Sequence, residues 1–316
     1  MTRDDLPLRH LLAIDALSAT TLDALLRRAA ALRPLALGGD HGHRPLAGAT
    51  LANLFFEPST RTRCSFRLAG VRLGAEVIDF DMAASSSRKG ETIGDTLRTL
   101  EAMGVTLFAI RHGVDGAVAA LATDCAPQTR LINAGDGRSH HPTQALLDML
   151  TIRQHKGEDF SRLKVAILGD IRHSRVARSD LHALRLLGTC SIALAAPPAL
   201  LPDSTVSQGC TVHDHAEEAL HEADVVITLR LQRERMDEGL ISSADAFYRD
   251  WGLTAERLAL ARPDAIVMHP GPMNRGVEIA DAVADGPQSV IREQVSNGVA
   301  ARMAVLEALA GGQPAS

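Results

Sequence analysis

The chain has 316 residues, 46% hydrophobic and 22% charged, with a formal net charge of -5. That composition excludes a disordered chain, and the length suits two domains of roughly 150 residues each. The acidic balance, without a basic block, argues against a nucleic-acid surface, and no apolar run approaches the roughly 20 residues of a membrane span.

Aromatic residues make up only 3%, so Leu, Ala, Val and Ile must build the core, which favours an α/β protein over a β-sandwich. The opening Met1-Thr2-Arg3-Asp4-Asp5 carries acids and no apolar h-region, so no signal peptide is expected. Cys64, Cys125, Cys190 and Cys210 are scattered, with no C-x-x-C pair. They read as reduced packing residues of a cytoplasmic protein, not as disulfides or zinc ligands.

In chain order, 18–33 is amphipathic, with Leu22, Leu25, Leu26 and Ala29 on one face. Residues 50–56 read as a buried strand, 60–73 as a helix and 76–80 as a strand. The small polar run 83–90 reads as a loop. A helix over 91–103 and strands over 105–110 and 131–133 follow. His141-Pro142-Thr143-Gln144 opens a helix reaching about His155, with proline where the first turn accepts it.

The polar stretch 154–162 is the candidate boundary. A second alternating series follows, with strands over 163–168, 191–195, 211–212, 225–229 and 265–268, and a helix over 174–187. A long last helix spans about 289–310. The expected architecture is two parallel-sheet α/β domains, 1–152 and 153–288, with 289–316 returning to the first domain. A ligand cleft is expected between them, at the carboxyl ends of the strands.

Six segments carry candidate chemistry. Residues 55–63, Phe-Phe-Glu-Pro-Ser-Thr-Arg-Thr-Arg, take a buried strand into a helix start. Ser59 suits the cap, the first backbone N–H groups suit an anion, and Arg61, Ser59, Thr60 and Thr62 add phosphate-binding side chains. Taken alone, the segment also suits a capped helix with a solvated basic face. It is not a Walker loop. Arg111 stands at the end of a strand, where the cleft mouth is expected. His141 and Gln144 share one side of a helix start and could reach a carbonyl or amide. Without an H-E-x-x-H pattern, they do not suggest zinc.

The run 169–175, Gly-Asp-Ile-Arg-His-Ser-Arg, lacks the glycines of a dinucleotide fingerprint, so no nucleotide cofactor is expected; Arg175 offers a guanidinium instead. Arg230, two residues before Gln232, could meet a carboxylate. His269-Pro270-Gly271-Pro272 is a stiff loop whose carbonyls could accept from an amide NH2. A phosphate site, further arginines, one histidine and one glutamine, with no nucleophile–base pair, suit catalysis by positioning and electrostatics.

Ser59-Thr60-Arg61-Thr62-Arg63, His141-Pro-Thr-Gln144 and His269-Pro-Gly-Pro272, in this order, resemble the carbamoyltransferases. Lys89-Gly-Glu-Thr92, Arg111-His112, Asn133-Ala-Gly-Asp-Gly137 and Arg230-Leu-Gln232 resemble the aspartate branch in particular. The resemblance runs from about Thr50 to the last helix. It implies transfer of the carbamoyl group of carbamoyl phosphate to L-aspartate, in pyrimidine synthesis, with no cofactor.

By the same resemblance, Ser59, Thr60, Arg61, Thr62 and Arg111 hold the phosphate, and Thr62, Arg111 and His141 polarise the carbamoyl oxygen. Gln144 and the carbonyls of Gly271 and Pro272 hold the carbamoyl NH2, and Pro272 helps receive the amine. Arg175, Arg230 and Gln232 take the carboxylates of aspartate. A homotrimer is implied, in which Ser85 and Lys89 of one subunit complete its neighbour's site. The loop 273–279 resembles members without a zinc-bearing regulatory chain, and leaves a dihydroorotase partner open. A related transferase acting on ornithine or an N-acyl amino acid, and a non-catalytic phosphometabolite-binding subunit, are the alternatives; two arginines facing the second substrate argue for a dicarboxylate.

Overall fold

A computed structural model describes residues 8–39, 42–80, 92–232 and 243–311. The chain divides into two compact units, residues 1–147 with 296–316, and residues 148–295.

The first unit is built on a four-stranded parallel sheet, order β2-β1-β3-β4, from β1 (Thr50–Phe55), β2 (Glu76–Phe80), β3 (Leu107–His112) and β4 (Arg130–Asp136). The central strands read as near-continuous apolar runs because they are covered on both faces. Helices α1 (Ala19–Ala36), α2 (Thr60–Arg72), α3 (Ile93–Ala102) and α4 (Ala117–Asp124) accompany them, and α5 (Pro142–Lys156) leads out of the unit. Ser18 caps α1 through its hydroxyl, and Thr92 and Asp95 form a capping box on α3. Leu54, Phe108, Ile110 and Leu131 anchor one core cluster.

The second unit carries a five-stranded parallel sheet, order β7-β6-β5-β8-β9. Its strands are β5 (Lys164–Gly169), β6 (Ser191–Ala195), β7 (Thr211–His213), β8 (Val225–Leu229) and β9 (Ile266–Met268). Helices α6 (Arg175–Leu186), α7 (Ala216–Leu220), α8 (Ala244–Trp251), α9 (Ala255–Leu258) and α10 (Asp281–Ala284) accompany them. Leu168, Ala195, Val226 and Val267 belong to its core.

The last helix, α11 (Ile291–Gly311), passes from the second unit back into the first. There two of its charged side chains hold it to neighbouring elements. The Arg302 guanidinium lies over the Phe66 ring of α2, 5.1 Å from its centroid. Glu307 accepts from Arg28 Nε of α1 at 2.5 Å and also bonds His43.

Some details depart from the sequence reading. Residues 117–124 form a helix where none was expected. The third strand is shifted two residues onward, so Arg111 lies within it and not just beyond it. Cys125 is buried, but Cys64 and Cys190 are exposed and do not pack a core; all four thiols are free. Among the described residues, no helix is long and apolar enough to cross a membrane, and no cluster of three or more His, Cys, Asp or Glu could hold a metal ion.

Candidate active site

In the first unit the predicted residues gather at the carboxyl ends of adjacent strands. Phe55, the last residue of β1, is in register with Arg111 of β3, and the Phe56 N–H donates to the Arg111 carbonyl at 2.8 Å. The chain then turns through Pro58 into α2. Ser59 occupies the N-cap with extended backbone, but its hydroxyl makes no capping bond, which corrects the expected cap. The first N–H groups of α2 receive no bond from the Ser59 side chain, and the positive end of the helix dipole there suits an anion. Thr60 and Arg61 are exposed there, and Thr62 is buried against the helix start.

Arg111 Nη1 donates to the Ala134 carbonyl of β4 at 3.3 Å, and Nη2 lies 3.3 Å from the Glu57 carboxylate. Glu57 was given no role by its residue type. Its carboxylate stands beside the Arg111 guanidinium, where it would compete with an anion.

β4 ends in Gly135-Asp136, and Asp136 organises the turn that delivers His141. Its buried carboxylate accepts from the His140 N–H at 3.1 Å and from the Gly116 N–H at 3.0 Å, and its own N–H donates to the His140 carbonyl. Gly137 follows with φ +42, and a Cβ there would fall 1.9 Å from Asp115 Oδ1, so only glycine fits. Pro142 then opens α5, with His141 and Gln144 both buried at its start.

In the second unit a similar device follows β5. Gly169 has φ +110, and a Cβ on it would meet the Leu229 carbonyl oxygen of β8 at 2.5 Å. This close approach places Asp170 against the residues that follow β8. The Asp170 carboxylate is completely buried and bonds His173 Nδ1 at 2.8 Å, the His173 N–H at 3.2 Å and the Gln232 N–H at 3.2 Å. Gln232 Nε2 donates to the His173 carbonyl at 3.0 Å. Asp170 thus ties the start of α6, which carries Arg175, to the segment carrying Arg230 and Gln232. Arg175 is buried and Arg230 half-buried.

β9 runs into the His269–Pro272 loop beside β8. The peptide bond between Gly271 and Pro272 is cis, and Gly271 has φ +66. Ser85 and Lys89, expected from the resemblance to complete a neighbour's site, lie outside the described residues.

The structure therefore groups Ser59, Thr60, Arg61, Thr62, Arg111, His141 and Gln144 on the first unit, and Arg175, Arg230, Gln232, Gly271 and Pro272 on the second. The buried carboxylates holding these groups in place were missed as participants. A Gly-Asp pair closing an apolar strand, at 135–136 and again at 169–170, was the available signal.

Two parallel-sheet α/β units, the first with a strand–helix turn after β1 and the second with arginines after its strand ends, match the carbamoyl-transfer enzymes. Residues 9–154 match the aspartate/ornithine carbamoyltransferase carbamoyl-P binding domain, and residues 161–309 match the Asp/Orn binding domain of the same family. The chain belongs to the aspartate/ornithine carbamoyltransferase family.

Among its relatives, the aspartate carbamoyltransferase catalytic subunit of Xanthomonas euvesicatoria pv. vesicatoria is 60% identical over 304 residues, 96% of either chain. That of Stenotrophomonas maltophilia (strain K279a) is 59% identical over 305 residues, with the same coverage. Aspartate transcarbamoylase from Trypanosoma cruzi, solved in complex with N-(phosphonacetyl)-L-aspartic acid, matches with a TM-score of 0.85 at 33% identity, covering 96% of both chains. The ornithine carbamoyltransferase from Thermus thermophilus matches with a TM-score of 0.83 at 27% identity, covering 96% of this chain and 99% of its own.

Proposed function

We propose that the chain transfers the carbamoyl group of carbamoyl phosphate to the amine of L-aspartate, releasing N-carbamoyl-L-aspartate and phosphate. The observation that carries the choice of acceptor is the tie through Asp170, which holds the segments of Arg175 and of Arg230 and Gln232 together in the second unit. Two guanidiniums suit the two carboxylates of aspartate, and repel the cationic side chain of ornithine.

In this reading the amine lone pair attacks the carbamoyl carbon, the bond from carbon to the phosphate oxygen breaks, and the amine loses a proton. Ser59, Thr60, Arg61, Thr62 and Arg111 hold the leaving phosphate. Thr62, Arg111 and His141 face the carbamoyl oxygen as it gains charge. Gln144 and the carbonyls of Gly271 and Pro272 take the NH2, and Pro272 also lies toward the incoming amine. The two groups of residues act on one substrate pair, and no covalent intermediate is needed.

The working form in this reading is a cytoplasmic homotrimer, with Ser85 and Lys89 reaching a neighbour's site. Exposed Leu68 and Val71 on α2 and Ile78 on the edge strand β2 support a subunit contact on the first unit. Free thiols suit a reducing compartment.

The test is an assay of the purified chain with carbamoyl phosphate and either aspartate or ornithine. N-carbamoylaspartate formation is expected; turnover with ornithine and none with aspartate would overturn the reading. Mixing inactive Lys89→Ala and Arg61→Ala chains tests the shared site, and no recovery of activity on reassembly would confine each site to one subunit.

A further inference from the structure

The loop 269–279 carries the two carbonyls to which the proposed reading gives the carbamoyl NH2. It is braced from inside by a histidine and a glutamate. His269 Nδ1 accepts from the Gly271 N–H at 2.8 Å. A ring nitrogen that accepts carries no proton, so the proton sits on Nε2, which donates to Glu278 Oε1 at 3.0 Å. The same oxygen accepts from the Asn274 N–H at 2.6 Å. The His269 N–H donates to Gln294 Oε1 of α11 at 2.9 Å, and Gln294 Nε2 donates to Asp148 Oδ1 of α5 at 2.6 Å. One end of the loop is therefore fixed to two helices, and its middle is fixed to its far end.

This brace is buried: His269 is 0% and Glu278 2% exposed. Glu278 Oε2 has no hydrogen-bond partner. A buried carboxylate with one oxygen unmet costs stability, and an apolar pair of similar volume would hold a loop more cheaply. What the polar pair supplies is direction. Gly271 sits at φ +66, a glycine with wide freedom to rotate, and the bond from its N–H to His269 limits that rotation.

We propose that His269 and Glu278 are positioning residues that aim the Gly271 and Pro272 carbonyls at the amide of carbamoyl phosphate, an inference that rests on the functional reading above. Of the residues given a place in the proposed site, the brace touches only those that meet the NH2. It therefore governs discrimination between carbamoyl phosphate and acetyl phosphate, which carries a methyl group in the same place, and leaves phosphate recognition alone.

The experiment is calorimetric binding of carbamoyl phosphate, acetyl phosphate and inorganic phosphate to the full chain and to three variants. Glu278→Ala removes the brace, and His269→Gln keeps a donor for Glu278 but removes the acceptor for Gly271. Each should weaken carbamoyl phosphate about tenfold, the worth of a hydrogen bond or two, and leave acetyl phosphate and phosphate within about twofold. Glu278→Gln keeps the accepting oxygen and should retain the wild-type preference. Equal weakening of both acyl phosphates, or no weakening, would overturn the proposal by showing a general structural role or none. Should Glu278→Ala not fold, His269→Gln carries the same decision. Binding is read without turnover, so a wild-type chain that fails to carbamoylate aspartate overturns the functional reading separately.

Discussion

The two units put their polar residues in the same place, beyond the carboxyl ends of parallel strands; each uses one buried Asp, Asp136 or Asp170, but the turn after β1 is built by other means. At that turn the groups are backbone N–H groups and exposed side chains at the start of α2, with Arg111 shared between Glu57 and the Ala134 carbonyl. On the second unit a single buried carboxylate, Asp170, gathers three donors and fixes two segments at once. The contrast teaches how each half would meet its ligand. An anion at Arg111 would have to displace a carboxylate, and a ligand at the second would meet groups already oriented, at a smaller ordering cost.

The largest effect that would sharpen this contrast is expected from Arg61→Ala. Loss of a charge facing the departing phosphate should lower kcat by about 10²–10³, with the KM for aspartate little changed. Steady-state kinetics with both substrates varied would show it, and an intact kcat would remove Arg61 from the transition state.

Asp170→Ala should do the reverse. With the His173 ring and the Gln232 N–H released, the KM for aspartate should rise on the order of tenfold or more, while inhibition by inorganic phosphate holds. A parallel loss of phosphate affinity would show that the two halves are not separately built.

Next in size is the response to pH, where the units differ in sign. In the second unit, burial and the nearby Asp148 carboxylate push Asp180 well above the usual 3.8, so the folded state keeps a proton that the unfolded chain releases. Stability from that proton is lost as pH rises above about 3.8. Asp180→Asn should therefore raise the unfolding midpoint, by about 2–4 °C for each kcal/mol recovered, more at pH 8 than at pH 5. In the first unit, burial and then the charges of Arg9 and Arg130 lower His10 from 6.5 to about 4. Its ring accepts from the Leu131 N–H at 3.1 Å, so it must stay neutral in the fold. Stability here is lost as pH falls from 6.5 toward 4, and His10→Asn should flatten that slope in pH-dependent melting.

The smallest effect is expected at Glu57. Glu57→Gln weakens the competitor for Arg111 and should tighten inorganic phosphate about two- to threefold at low salt, less at high salt. No change would mean that the 3.3 Å contact does not compete with ligand.

The alternation of apolar runs and amphipathic helices was enough to expect two parallel sheets, because strands covered on both faces leave a continuous apolar signature. The strand-to-helix turn after β1 was legible for a related reason: Pro58 and Ser59 mark it through local chemistry, within one turn of chain. Residues acting at a distance were not. Glu278 lies nine residues from His269, and Asp170 lies 62 residues from Gln232. A buried carboxylate reads in sequence like a solvated one until its donors are known. The short helix 117–124 has only one fully buried residue, Val118, so it left little apolar periodicity to read. The Ser59 hydroxyl misled in the other direction: its residue type suits a cap, and the backbone placed it there, but the bond is not made.

The route of α11 has a consequence for the order in which the molecule can be made. Residues 296–311 are needed by a unit whose other part ends at residue 147, and the whole of the second unit lies between them in the chain. During synthesis the second unit emerges nearly entire before the first receives its last helix. Until then the surfaces that meet Val299, Ala300, Met303, Ala304, Leu306 and Leu309, all buried in the finished fold, have nothing to cover them. The half of the molecule translated first is thus the half completed last, and a nascent chain stalled before residue 296 would display an apolar face for as long as the stall endured.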